Sequence, residues 1–372
     1  MNDIEKLTKD GIRKIPPYIP GRTSESIQEK YHLTRILKLA SNENQYGTSP
    51  KALEAMKDSL TSSNIYPDPF CIGLRKKLGI KYGFDSSGDN VIISSGACGI
   101  LSLLGEVFIC ESDEVIFCTP TFGIYESTCE RNGGIPIALP LTADQRFDLD
   151  AIQRAVTPKT KMIFICNPNN PSGTAVDSAE LKRLINTLPK NIIIVVDEAY
   201  IEFADDPAVE SMIPETADNG NLIVIRTFSK IYGLAGQRLG YSFMNKELHA
   251  VLQKSTPVFV ATRTALAGAM AALDDDEFVE KTRKGNSEGR AYLTKELRSM
   301  GWTVYPSYTN FLYADSGYNA ASLADELEKK GLIIRGNFPC SRITIGTMEQ
   351  NREVIEIIRQ TLKEGRVSEK GK

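Results

Sequence analysis

Residues 161–200 read KMIFICNPNNPSGTAVDSAELKRLINTLPKNIIIVVDEAY. Two apolar runs, KMIFIC (161–166) and NIIIVV (191–196), flank a Pro- and Gly-punctuated loop and a helical stretch. Unbroken runs of four to six apolar residues suit strands covered on both faces, and an intervening helix supplies the crossover of a parallel sheet. The pattern extends outward through VIIS (91–94), EVIFC (114–118), IPIALPL (135–141) and LIVIR (222–226), so residues from about 40 to 260 read as one α/β domain.

Beyond it the texture changes. Acid-rich helical sequence over about 262–300 leads to shorter strands, FLYAD (311–315), LIIR (332–335) and RITIG (342–346). These alternate with helices near 321–330 and 349–364 and make a smaller α+β unit. Residues 1–38 are polar, carry a turn at Pro16-Pro17-Tyr18-Ile19-Pro20-Gly21, and read as an arm without a core of its own. The expected division is an arm (1–38), a large domain (39–270) and a small C-terminal domain (271–372).

The 372 residues are 41% hydrophobic and 24% charged, ordinary for a soluble chain, and no apolar run approaches the roughly 20 residues a bilayer demands. Lys and Arg number 44 against 47 Asp and Glu, a net charge of −3, which gives no global field for nucleic acid or an anionic membrane. The N-terminus MNDIEKLTKDG has no signal-peptide pattern, so the expected compartment is the cytoplasm. Seven scattered cysteines without a CxxC pair read as reduced thiols, and His32 and His249 are too few for a histidine-built metal site.

In open α/β sheets ligands bind beyond the carboxyl ends of the strands. After VIIS come Ser95, Gly96, Ala97, Cys98 and Gly99 and then a helix. Small residues at a helix start let a phosphate reach free N–H groups on the positive end of the dipole, although the same glycines serve as plain turn punctuation. Neither GxGxxG nor GxxxxGK[ST] is present, so dinucleotide and P-loop binding are not indicated. After KMIFIC comes the loop of Asn167, Asn169, Asn170 and Gly173, in which the asparagines could equally cap turns. Asp197 ends a buried run, where a carboxylate is costly unless it meets a cation. After LIVIR come Thr227, Ser229 and Lys230, with Arg238 eight residues on, a cationic cluster able to lower an amine's pKa toward nucleophilicity.

Taken in order, Asn170-Pro171-Ser172-Gly173, Asp197-Glu198-Ala199-Tyr200 and Ser229-Lys230 with Gly236 and Arg238 resemble the fold-type I, aspartate-aminotransferase-like enzymes that use pyridoxal phosphate, which implies a mainly parallel sheet of the seven-stranded type in the large domain. PPYIPG (16–21), LASNENQYGTSP (39–50), IYPDP (65–69), PTFGIYE (120–126), RTFSKIYGLAGQRLGY (226–241) and RITIGTMEQ (342–350) resemble the histidinol-phosphate aminotransferase family over about residues 12–362. The resemblance implies that Lys230 is the Schiff-base lysine and proton-transfer group. It implies that Asp197 pairs with the pyridine nitrogen, and that Asn170 and Tyr200 bond the ring's phenolate oxygen. Thr227, Ser229, Arg238 and the N–H groups of Ala97 and Cys98 would hold the phosphate. Phe122, where the family often has tyrosine, would stack on the ring, against ordinary core packing as the plain alternative. Arg342 and Arg335 would bind the substrate anion. Tyr18 would contact substrate, and Tyr66 would reach the partner subunit's cofactor phosphate, which implies a homodimer whose arm also packs across the two-fold axis.

Two stretches depart from the family. Cys98-Gly99 stands where Asp-Glu is usual, and Pro257-Val258-Phe259-Val260 where Pro-Phe-Asn-Val is usual. The expected activity is ping-pong transamination between histidinol phosphate and 2-oxoglutarate. Open alternatives are an aminotransferase for another phosphorylated amine or an aromatic amino acid, and a threonine-phosphate-type decarboxylase of the same fold. A pyridoxal-phosphate-fold transcription regulator would need a DNA-binding domain, for which residues 1–38 are too few.

Overall fold

The computed structural model describes residues 3–17 and 23–370. After the two-residue strand β1 (Leu37–Lys38) come β2 (Val91–Ser94), β3 (Glu114–Thr119), β4 (Ile135–Pro140), β5 (Thr160–Cys166), β6 (Ile193–Asp197), β7 (Leu222–Thr227) and β8 (Gly240–Phe243). Strands β2 to β8 form one sheet in the order β2-β8-β7-β6-β5-β3-β4. Every pairing is parallel except those of β8, which runs antiparallel to both β7 and β2.

The unbroken apolar runs of the sequence form these strands. Ile163, Phe164, Ile165, Ile194, Val195, Val196, Ile223, Val224 and Ile225 are fully buried, each Val, Leu, Ile or Phe contributing about 1.5–3 kcal/mol relative to exposure. The edge strand β4 carries Pro136 and Pro140, residues that cannot donate to a neighbour on both sides and are tolerated at an edge. No run announced β8. Its sequence GYSF starts with a glycine because a Cβ on Gly240 would come within 2.5 Å of the Gly96 carbonyl carbon, where helix Gly96–Phe108 begins.

A second core gathers around β9 (Thr303–Val304), β10 (Phe311–Asp315), β11 (Leu332–Ile333) and β12 (Ser341–Thr344). Strands β12, β10 and β9 form an antiparallel sheet, and β1 pairs with β11 in parallel. Trp302, Leu312, Ile343, Val354 and Ile358 fill this core together with Leu37 and Leu39. Helix Asp276–Ser299 serves both cores, with Val279 against the first and Leu293 and Leu297 inside the second. Within the arm, helix Ser24–Tyr31 buries Ile27 against Ala40 and Ile333.

Away from the strand ends, Arg75 is buried with its Nη2 at 2.7 Å from His249 Nε2 and 3.1 Å from an Asp89 carboxylate oxygen. Arginine can only donate, so Nε2 accepts and the imidazole is neutral. Burial, and then the Arg75 charge, bring the His249 pKa from 6.5 down to about 4. Between those values the unfolded chain takes a proton that the fold refuses, so stability falls as the pH drops through this window, by roughly 3 kcal/mol at most. His249→Gln keeps an acceptor for Arg75 and should remove that part of the slope. Urea unfolding from pH 7 to pH 4 tests this, and equal pH dependence in both proteins would refute it.

Candidate functional site

The carboxyl ends of β5, β6 and β7 and the start of the helix after β2 converge on one cleft. Asp197, the last residue of β6, is 4% exposed, with Oδ2 accepting from Tyr125 Oη at 2.8 Å and Oδ1 from the Ala199 N–H at 3.1 Å. Burial raises its pKa, opposed by the Tyr125 hydrogen bond, the Ala199 N–H and the charge of Lys230. Tyr125 is held flat against Phe164, ring centroids 4.8 Å apart, and meets Phe122 edge-on at 5.9 Å. Phe122 is half-buried at the border of the core.

Lys230 follows β7 and keeps part of its side chain open to the cleft. Its Nζ lies 3.3 Å from the Ser41 carbonyl and 3.2 Å from that of Asn42, and 5.5 Å from the centroid of the Tyr200 ring. Burial first, then the guanidinium of Arg342 and, more weakly, that of Arg238, lower the amine to about 8. Residues 41–48 form a strap over the lysine loop. Asn44 Nδ2 donates to the carbonyls of Lys230 and Ile231, and Thr48 Oγ1 to that of Gly233. Gly233, at φ +67°, permits the approach, since a Cβ there would sit 2.0 Å from the Gly47 carbonyl oxygen.

At the opposite wall, Arg342 in β12 donates to Asn170 Oδ1 at 2.5 Å and to the Ala40 carbonyl at 2.6 Å. Arg335 is bridged to Arg342 through both backbones, and its Nε also reaches the Ala40 carbonyl, at 3.3 Å. Two cations and a lysine thus face one space. Of the loop asparagines, Asn167 and Asn169 serve the turn, accepting from the Val176 N–H and the Thr121 hydroxyl, whereas Asn170 turns toward Arg342.

The third element is a cradle at the start of helix Gly96–Phe108. Gly96 has φ +72°, and a Cβ on it would meet Arg238 Nη2 at 2.7 Å. Arg238 itself is left-handed, at φ 51°. Ala97 and Cys98 lie in the first helical turn, where backbone N–H groups have no helical partner. Thr227 and Ser229 are buried beside it, the Ser229 N–H bonding Thr227 Oγ1 at 3.0 Å. Burial raises the Cys98 thiol, so it is neutral. A phosphate fits this cradle: it needs N–H donors, hydroxyls and a guanidinium, and the missing Cβ of Gly96 leaves room.

Among the residues nominated from sequence, Tyr66 stands apart. It is 76% exposed, its ring rests on Phe259 at 4.8 Å, and its hydroxyl takes no part in the hydrogen bonds around Lys230. Tyr18 lies outside the described residues. Four contributors carry no sequence signal of their own strong enough to nominate them: Tyr125, Asn42, and the buried pair of Glu198 with Arg226. Arg226 Nε donates to Glu198 Oε2 at 2.8 Å and its Nη1 to Glu202 Oε1 at 2.7 Å, tying the end of β7 to the chain just past β6. Only for that pair is there a usable hint, since an arginine inside LIVIR demands a buried acid and Glu198 comes directly after the neighbouring run and Asp197.

A family profile described as aminotransferase class I and II matches residues 34–358. The histidinol-phosphate aminotransferase of Moorella thermoacetica is 37% identical over 360 residues, covering 95% of this chain and 92% of its own. The crystal structure of histidinol-phosphate aminotransferase from Sinorhizobium meliloti in complex with pyridoxal-5'-phosphate superposes with a TM-score of 0.87 at 25% identity, covering 94% of this chain and 97% of that one. The aspartate aminotransferase of Thermus thermophilus, at 20% identity and a TM-score of 0.79 over 95% of this chain and 99% of its own, shares the fold. The chain belongs to the class I and II aminotransferases, and among them to the histidinol-phosphate aminotransferase family.

The raised pKa of Asp197 has a measurable consequence. Without a cation at its side the buried charge disfavours the fold, so Asp197→Asn in cofactor-free protein should melt no lower than wild type at pH 7 while binding pyridoxal phosphate far more weakly. Thermal melts with and without the cofactor check both halves. A variant that loses stability yet keeps cofactor affinity would contradict the assignment.

Proposed function

We propose that the protein is a pyridoxal-phosphate-dependent aminotransferase that converts L-histidinol phosphate and 2-oxoglutarate to imidazole acetol phosphate and L-glutamate by a ping-pong route. One observation carries the chemistry: a lysine amine lowered to about 8 shares a cleft with a buried carboxylate and two arginines. The names of full-length relatives carry the substrate.

When bound, pyridoxal phosphate supplies an electron sink that makes the proton on an amine-bearing carbon removable. The chain's residues do the rest. At pH near 8 about half of Lys230 is neutral, so its Nζ would be the group that holds the cofactor and could take up and return a proton beside it. Asp197, oriented by Tyr125 and the Ala199 N–H, would pair with the pyridine nitrogen and so gain the cation its burial calls for. Asn170 and Tyr200 would take the ring oxygen, and Phe122 would cover the ring face. Thr227, Ser229, Arg238 and the N–H groups of Ala97 and Cys98 would hold the phosphate. Arg342 and Arg335 bind the anionic end of either substrate, the phosphate of histidinol phosphate or a carboxylate of glutamate, which lets one site serve both half-reactions.

The same reading makes the protein a homodimer. Leu60, Ile65, Tyr66, Val258 and Phe259 are each more than 40% exposed, an apolar surface costly for a monomer, and Tyr66 would reach the partner's phosphate cradle across it. Among the described residues no helix is long and apolar enough to cross a membrane. The seven cysteines are unpaired, which suits a reducing, cytoplasmic setting.

Pyridoxal-loaded protein should lose its visible cofactor band on addition of histidinol phosphate and regain it with 2-oxoglutarate, with phenylalanine and phosphothreonine as slower controls. Lys230→Ala should cut turnover by about 10²–10⁴-fold or more, and Arg342→Ala should lower kcat/KM for the phosphorylated donor about 10–100-fold. Carbon dioxide release from phosphothreonine, or no preference for histidinol phosphate over phenylalanine, would defeat the substrate assignment. Light scattering should return twice the chain mass of 41.1 kDa.

A further inference from the structure

Asn42 sits in the strap over Lys230, 1% exposed and left-handed at φ 54°, a conformation that asparagine tolerates better than most residues. Its polar groups are all engaged. Nδ2 donates to Tyr200 Oη at 3.0 Å, Oδ1 accepts from Thr344 Oγ1 at 3.1 Å, and the backbone N–H donates to that same Thr344 oxygen at 3.1 Å. The backbone carbonyl accepts from Asn310 Nδ2 at 3.0 Å and from Lys230 Nζ at 3.2 Å.

The amide of Asn42 is oriented in the structure with Oδ1 toward Thr344 and NH2 toward Tyr200. Thr344 Oγ1 accepts the Asn42 N–H and gives its own proton to Asn42 Oδ1, which suits that orientation. An NH2 group only donates, so the Tyr200 oxygen accepts, and its single proton must point elsewhere. No described residue offers that proton an acceptor. We infer that Asn42 is a positioning residue: it occupies the Tyr200 lone pair, leaves the Tyr200 proton free for the ring oxygen of the cofactor, and with its own carbonyl steadies the Lys230 amine. This inference rests on the pyridoxal-phosphate reading of the site. Thr344, on β12, thereby supports from the second core the amide that meets Tyr200.

Pyridoxal phosphate bound through a lysine absorbs in the visible, and the band changes with the proton held near the ring oxygen. A hydrogen bond donated to that oxygen favours loss of this proton, so removing the donor moves the midpoint upward. In the holoenzyme, Asn42→Asp sets an acceptor against Tyr200 and draws its proton back. Asn42→Gly removes the amide without adding charge and keeps the left-handed backbone. Both should raise the midpoint by about one pH unit, as should Tyr200→Phe. Asn42→Asp combined with Tyr200→Phe should shift it no further than Tyr200→Phe alone. A merely structural asparagine would lower the melting temperature and leave the midpoint in place. An unshifted midpoint in Asn42→Gly that retains the band, or fully additive shifts, overturns the assignment alone. A wild-type protein without a cofactor band overturns the functional reading and the assignment with it.

Discussion

A carboxylate at the end of a strand buried on both faces is the constraint around which the cleft is arranged. Asp197 cannot reach water, and its immediate neighbours only donate hydrogen bonds from neutral groups, a tyrosine hydroxyl and a backbone N–H. Those bonds orient the charge without cancelling it, so the carboxylate stays poised for a cation. The parallel sheet explains why that readiness is useful. Its strands β5, β6 and β7 all end at the same side, so Asn170, Asp197 and Lys230 arrive there from successive strands of unrelated sequence.

Charge on the other side of β6 is handled differently. Glu198, one residue on, points into an environment that already holds Arg226, with Ser211 and the Met212 N–H as further donors. Such a pair is costly to break because either partner alone would be a buried uncompensated charge. It therefore fixes the ends of β6 and β7 relative to each other, the two ends that carry Asp197 and Lys230. Adjacent acids at one strand end thus sit differently, one neutralised internally and one held by neutral donors alone.

Most of this was legible in the sequence because buried parallel strands write themselves as unbroken apolar runs, and the residues just past each run are confined to one edge of the sheet. The seventh strand followed only from the family resemblance, and nothing in its own residues located it. GYSF is short, lacks a run, and is chosen for a close approach at Gly240 that only the folded chain defines. Tyr125 was hidden for a related reason: a tyrosine in a helix among core residues reads as packing, and its hydroxyl acquires meaning only when Phe164 sets the ring against Asp197. Asn42 lies inside the motif LASNENQYGTSP, yet its importance depends on Thr344, 302 residues away. Pairings of that kind leave no local pattern.

The near-neutral composition also takes on a different meaning in the fold. A net charge of −3 conceals a cleft where Lys230, Arg238, Arg335 and Arg342 face one another. Their mutual repulsion is part of what lowers the lysine, since Arg342 and Arg238 both act on it. An anion seated on Arg342 offsets that guanidinium charge, and by the same electrostatics it returns basicity to Nζ. The lysine is thus a readier nucleophile when the anion sites are empty and a stronger proton acceptor when they are filled. That order suits the part proposed for Lys230, which would hold the cofactor before a substrate's anion docks and exchange a proton after it.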